Sequence, residues 1–283
     1  MADGTTTAGS GIAFEGVSFA YAMDGSRRSA LRDVTLTLSP GELLVVVGAN
    51  GSGKSTLARL CNGLLIATVG SVRVDGLDPA DPDRTWDVRS RVAMVFQDPD
   101  NQIVGTVVED DVAFGPENLG VEPKEIRRRV DAALAAVGLV GFDRREPHML
   151  SEGQKQRLAV ASALAMEPAY LVMDEPCAML DPEGRADVLA LADVLAHERM
   201  HGVLLVTHDL ADVAAADRVA VLAGGELTFL GTPDVLLGDE AAVTSAGLEM
   251  PPVGLLAASL RGMGFDVPAR ALSPESIVGA LWP

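Results

Sequence analysis

Apolar positions along the chain change their period in a definite order. Residues 12–19 and 34–38 alternate apolar with polar, the period of a strand covered on one face, whereas residues 43–47 are apolar without interruption, as burial on both faces requires. A shorter β-patterned run covers 72–74. This switch predicts a half-exposed antiparallel sheet leading into a buried parallel strand. From residue 122 the spacing turns helical, with Ile126, Val130, Leu134 and Val137 on one face and Gly138 as the stop. Two further continuous apolar runs, 171–173 and 203–206, flank a helical stretch over 184–197, the strand-helix-strand rhythm of a parallel sheet. A hairpin over 219–222 and 226–230, turning at Gly224 and Gly225, closes an α/β unit.

Both ends fall outside that rhythm. Residues 1–10 are small and polar and read as a loose tail, which leaves 11–238 as the principal domain. Beyond it, 239–283 carries Val253, Leu255, Leu256, Leu260, Ile277 and Leu281 among prolines, a short extension expected to pack on the core or on a second copy. With 283 residues and 48% apolar content the chain has ample material for a core. No apolar run approaches the roughly 18 residues needed to cross a bilayer, and the N-terminus lacks a basic start and apolar run, so a soluble cytoplasmic polypeptide is expected. A net charge of −18 repels polyanions, which argues against nonspecific binding to nucleic acid or anionic lipid. Any phosphate must be held by a local device. Cys61 and Cys177 have no metal-site or disulfide spacing and read as ordinary thiols.

Such a device begins at residue 48. Gly48, Ala49, Asn50, Gly51, Ser52, Gly53, Lys54 and Ser55 fit the pattern G-x-x-x-x-G-K-[ST] between the strand at 43–47 and a helix that ends near Gly63. The glycines let backbone N–H groups surround phosphates at the positive end of the helix dipole. Lys54 is expected on the β- and γ-phosphates, Ser55 on Mg²⁺, and Thr56 among the nucleotide contacts. Asp174 and Glu175 follow the strand at 171–173, the strand end where such sheets do chemistry. There Asp174 would hold Mg²⁺ through water, and Glu175 would act as general base on the attacking water.

Leu150, Ser151, Glu152, Gly153 and Gln154, followed by Lys155, Gln156 and Arg157, open a helix running to about Met166. Ser151 caps it, and Gln154 three residues on completes a capping box, leaving N–H groups to face an anion. This run resembles the signature motif of ABC ATPases, usually L-S-G-G-Q. The resemblance implies a two-lobed P-loop NTPase: a RecA-like parallel sheet, an antiparallel β portion, and a helical lobe at 98–165 carrying the signature. It further implies that ATP and Mg²⁺ lie between one P-loop and Ser151, Gly153 and Gln154 of a second ATPase subunit. Tyr21 matches the aromatic that stacks on adenine, Gln97 the glutamine that touches Mg²⁺ and reports to a transmembrane partner, Asp181 the D-loop, and His208 the switch histidine on the γ-phosphate. Glu152 stands where the family usually has glycine, and a carboxylate repelled by a triphosphate is expected to point away.

Residues 96–102 and 108–118 resemble the segment after the Q-loop in energy-coupling-factor and cobalt-type importer ATPases. In those proteins it forms an acidic groove that receives arginine-bearing helices of a transmembrane scaffold. Glu109, Asp110, Asp111 and Glu117 would supply that groove, with no lysine or arginine nearby in the sequence. The function implied is ATP-driven uptake of a vitamin or metal ion, at the cytoplasmic face of the membrane. The ATPase of a conventional binding-protein-dependent importer would share every catalytic residue and stays open on the motifs alone. A soluble ABC protein of translation or DNA repair usually carries tandem ATPase domains, of which this chain has one set.

Overall fold

The computed structural model describes residues 10–23 and 26–282; the tail read at residues 1–9 lies outside them. Strands β1 (Ile12–Met23), β2 (Ser26–Leu38) and β4 (Val69–Val74) form an antiparallel sheet in the order β2-β1-β4. β1 and β2 run well past the ranges their alternation predicts. Their outer halves pair Tyr21 with Arg28 and Ala22 with Arg27, and residues 26–29 are exposed, so this ribbon has no buried face for a hydrophobic period to mark.

The second sheet follows the order β5-β6-β7-β3-β8-β9. Its centre is β3 (Leu43–Val47), every residue of it buried, paired in parallel with β7 (Gly202–Thr207) and β8 (Arg218–Ala223). β6 (Tyr170–Asp174) lies in parallel between β5 (Val92–Val95) and β7, so the ends of β3, β6 and β7 open on the same edge. The antiparallel edge strand β9 (Glu226–Gly231) completes the hairpin expected from the glycine pair. Helices α1 (Lys54–Cys61), α2 (Thr85–Arg91) and α6 (Pro182–His197) accompany this sheet.

Three helices, α3 (Val108–Asn118), α4 (Pro123–Ala136) and α5 (Glu152–Leu164), pack together through Val108, Val112, Val130, Ala133, Leu134 and Leu158. The face of α4 follows its predicted period: Val130, Leu134 and Val137 are buried, Ile126 packs against them, and Gly138 ends the run at φ +71°. After α7 (Pro233–Gly238), α8 (Glu240–Ser245) keeps the chain in the main core through Val243, Ala246 and Leu248. Helices α9 (Pro252–Gly262) and α10 (Pro274–Leu281) then enclose a small cluster of Ala257, Val267, Ala271 and Ile277, which an Arg270–Asp234 ion pair ties to α7.

A polar contact joins the two sheets at the start of β6. Tyr170, fully buried at the start of β6, donates its hydroxyl to Asp75 Oδ1 at 2.6 Å, and the same oxygen accepts the Gly11 amide at 3.0 Å. Arg91 approaches the other oxygen of Asp75 at 3.5 Å.

Candidate nucleotide site

The loop between β3 and α1 has the shape its glycines require. Gly51 and Gly53 adopt φ of +80° and +106°, and a Cβ on Gly53 would lie 2.5 Å from the Ala30 carbonyl oxygen. A Cβ on Gly48 would collide with the Leu222 carbonyl. The chain therefore curls tightly, and Lys54 at the start of α1 is turned back over it. Its ammonium donates to the carbonyls of Gly48 (2.8 Å) and Ala49 (3.2 Å) and stands 3.7 Å from Glu175 Oε1. Lys54 is only 4% exposed, and burial lowers its pKa against the opposing pull of Glu175 and Asp174.

Asp174 ends β6, buried, and accepts the Ser55 hydroxyl at 2.9 Å. Burial raises its pKa, which Ser55 and the cations Arg59 and Lys54 partly offset. Glu175, the next residue, has φ +50° and donates its amide to the Val206 carbonyl, so the chain turns sharply and its side chain parts from that of Asp174. Its second oxygen lies 3.2 Å from His208 Nδ1, beyond the end of β7. Lys54, Glu175 and His208 thus share one wall.

That wall bounds a cavity of about 870 Å³, also lined by Tyr21, Asn50, Gly51, Gly53, Ser55, Thr56 and Gln97. Tyr21 packs edge-on to Phe19 at 4.9 Å between centroids and shares a 3.1 Å hydrogen bond with Thr56 across the mouth. Ser52, within the loop, is buried, and its hydroxyl has no hydrogen-bond partner among the described residues. The size, the buried cation and the backbone curl suit a nucleoside triphosphate. The hard oxygens of Ser55 and Asp174, side by side, suit Mg²⁺.

Ser151, Gly153 and Gln154 are elsewhere. Ser151 accepts the Gln154 amide at 3.3 Å and donates its own amide to Gln154 Oε1 at 3.1 Å, the expected capping box. Ser151 and Gly153, with Asp181, line a separate cavity of about 370 Å³. Glu152 lines the same cavity, against the expectation that it points away, and reaches Lys155 at 3.0 Å, an ammonium that it shares with Asp100 at 2.9 Å.

The acidic groove needs correction. Asp110 and Glu117 are exposed, but Asp111 is 3% exposed and turned inward, accepting the amides of Val104 (2.7 Å) and Gly105 (2.9 Å) and the hydroxyl of Ser162 (2.7 Å). Glu109 pairs with Arg127 of α4 at 2.6 Å, so a cation does stand nearby. Sequence reasoning also passed over Arg28 and Gly225 as cavity residues. Gly225 was legible only as a hairpin turn; it donates its amide to the Ser52 carbonyl (3.1 Å) and accepts that of Arg32 (2.8 Å), which seats the turn beside the phosphate loop. Gln102, whose side chain accepts the Phe96 amide at 3.1 Å, braces the segment carrying Gln97.

Residues 31–178 match the sequence family described as ABC transporter. The chain is 49% identical to the energy-coupling factor transporter ATP-binding protein EcfA1 of Symbiobacterium thermophilum, over 95% of this chain and 96% of that one. It is 45% identical to the protein of the same name from Clostridium perfringens, over 95% and 97%. Among solved structures it is similar to cbiO1 of Clostridium perfringens, described as part of the ABC transporter complex cbiONQ (TM-score 0.75, 33% identity, 87% of this chain and 97% of that one). It is also similar to the ATP-binding cassette MJ0796 in a dimer bound to ADP and Pi (TM-score 0.71, 29% identity, 78% and 98%).

Proposed function

Since the chain belongs to the ABC transporter family, as the ATP-hydrolysing subunit of an energy-coupling-factor importer, we propose that its 870 Å³ cavity holds ATP with its γ-phosphate against Lys54, Glu175 and His208. The observation that carries this reading is the shared wall: a buried ammonium 3.7 Å from Glu175, and Glu175 3.2 Å from His208. Glu175 orients the attacking water and takes its proton. Lys54 leaves its carbonyl partners for the β- and γ-phosphates, joined by the amides of Asn50, Gly51, Ser52, Gly53, Ser55 and Thr56. His208 holds the γ-phosphate, and Tyr21 stacks on the base.

Ser55 and Asp174 would hold Mg²⁺, with Gln97 at the cavity edge. The ion supplies neutralisation of the phosphate oxygens. Burial disfavours the charge on Asp174, an imbalance that a cation beside it relieves.

The separation of Ser151 and Gly153 from the P-loop supports a second ATPase subunit, set head to tail so that its signature helix covers this ATP. The dimeric state of MJ0796 with ADP and Pi supports the same arrangement. Exposed Leu256, Phe265 and Trp282 support residues 239–283 as a pairing segment. A cavity of about 550 Å³ lined by Asp100, Ile103 and Glu146 supports docking of a transmembrane scaffold beside Gln97, with Asp110 and Glu117 rather than Asp111 on the accessible side. No helix among the described residues is long and apolar enough to cross a membrane. The likeness to cbiO1, part of the complex cbiONQ, supports other subunits as the path for the vitamin or metal ion, with this chain at their cytoplasmic face. Glu175→Gln is expected to lower ATP hydrolysis roughly 10²-fold or more and to spare ATP binding. Hydrolysis near the parent rate would sink the assigned role.

A further inference from the structure

Behind His208 lies a buried ion cluster that the nucleotide chemistry does not use. Asp212 is 2% exposed, so its carboxylate depends on partners. It accepts the Thr207 hydroxyl at 2.6 Å and, on its other oxygen, Nε and Nη2 of Arg185 at 2.9 and 2.6 Å. The same Nη2 reaches Asp209 Oδ2 at 2.7 Å. Asp209 in turn donates its amide to Thr207 Oγ1 at 3.1 Å and caps the following turn at the Ala211 amide, 2.8 Å away.

Both neighbours of His208 in the chain are therefore gathered on one guanidinium, Thr207 through Asp212 and Asp209 directly. Arg185 belongs to the first turn of α6, where its amide donates to the Asp181 carbonyl at 2.9 Å. A planar fork offering donors in two directions is what this geometry uses, and an ammonium on a flexible stem cannot satisfy both carboxylates in the same way. We infer that Arg185 is a positioning residue for His208, clamping the backbone on either side of the histidine to α6 so that the imidazole stays in reach of Glu175 and the γ-phosphate. Asp212 and Asp209 are the two jaws of the clamp. This rests on the reading of His208 given above and deepens it.

Substituting Arg185 alone strands the charge of Asp212, so loss of folding would mask any loss of positioning. The test uses the full-length chain in its membrane assembly and pairs Arg185→Met with Asp212→Asn, which removes the charge and its partner together. The paired variant is expected to melt within about 3 °C of the parent, at a cost of about 1 kcal/mol, with kcat down roughly 10-fold and the KM for ATP within about twofold. Arg185→Lys recovers part of the rate. Asp209→Asn keeps the buried pair and the cap but cuts the second jaw, and lowers kcat about threefold without a change in melting. In a His208→Ala background the paired substitution adds no further loss. Parent-like kcat in the paired variant or in Asp209→Asn, or an equal loss with and without His208, overturns the inference alone. A parent-like rate in His208→Ala by itself would bring down the role of the histidine and the clamp with it.

Discussion

Asp111 separates two uses of an acidic residue on one helix. Exposed in a groove, it would be replaceable by alanine at little cost to folding; facing inward, it is a bracket between α3, α5 and the loop before α3. The structure gives it three donors, the amides of Val104 and Gly105 and the hydroxyl of Ser162, all within 2.9 Å. Ser162 keeps a second acceptor in the Leu158 carbonyl at 3.1 Å, so Asp111→Ala orphans two amides rather than three groups. Each hydrogen bond to a charged group contributes about 1.5–3 kcal/mol. Relief of carboxylate desolvation returns part of that sum, for a net loss of about 3 kcal/mol. At about 2–4 °C per kcal/mol, the melting temperature falls by about 6–12 °C. Asp111→Asn keeps an acceptor for both amides and loses less than half as much, and Asp110→Ala stays within about 0.5 kcal/mol of the parent. Thermal melts of the three variants with and without ATP decide it. Asp111→Ala melting within about 2 °C of the parent would refute the bracket and return Asp111 to the accessible surface.

Gly53→Ala places a methyl 2.5 Å from the Ala30 carbonyl at φ +106°, so the loop must open; binding of a fluorescent ATP analogue should weaken at least about 10-fold, and an unchanged affinity would show that the loop tolerates the displacement. His197 bridges Asp217 (3.0 Å) and Asp193 (2.9 Å), and the hydrogen bond to Asp217 leads in raising its pKa. A raised folded value means that its contribution is complete below the unfolded value of about 6.5 and is lost as the pH climbs through the folded one. The histidine is 39% exposed, so the effect stays under about 1 kcal/mol after screening. His197→Gln should therefore narrow the stability difference between pH 6 and pH 8, and urea melts giving the parent's difference would contradict the pairing.

What the sequence made legible was whatever is local. The glycines of 48–53 fix their own backbone, β3 and β6 announce themselves as unbroken apolar runs, and a serine followed three residues later by glutamine caps its own helix. The same logic, applied at the right period, would have placed Asp111: with Val108 it makes the i, i+3, i+4 stripe that Val112 completes, and both valines are buried. The Glu109 partner was out of reach, because Arg127 comes from another helix 18 residues on. Arg28 and Gly225 enter the cavity through strand pairing and hairpin placement, and neither carries a motif. The outer ribbon of β1 and β2 is paired by its backbone while residues 26–29 stay exposed, so its polar residues gave no period to read.

The hydroxyl of Tyr170 has a bearing on how sequence variants of this protein should be interpreted. It fastens the first residue of β6 to Asp75, and Asp174 is the last residue of the same short strand, four residues or about 13 Å further along. Parallel ladders to β5 and β7 hold β6 on both sides, so a change at Tyr170 or Asp75 acts first on the seam between the two sheets and reaches the carboxylate at the far end only through it. Such an allele would show first as a lower melting temperature, since it leaves a buried polar group without its partner. A clinician or strain engineer sorting variants by distance from the nucleotide would file it as harmless.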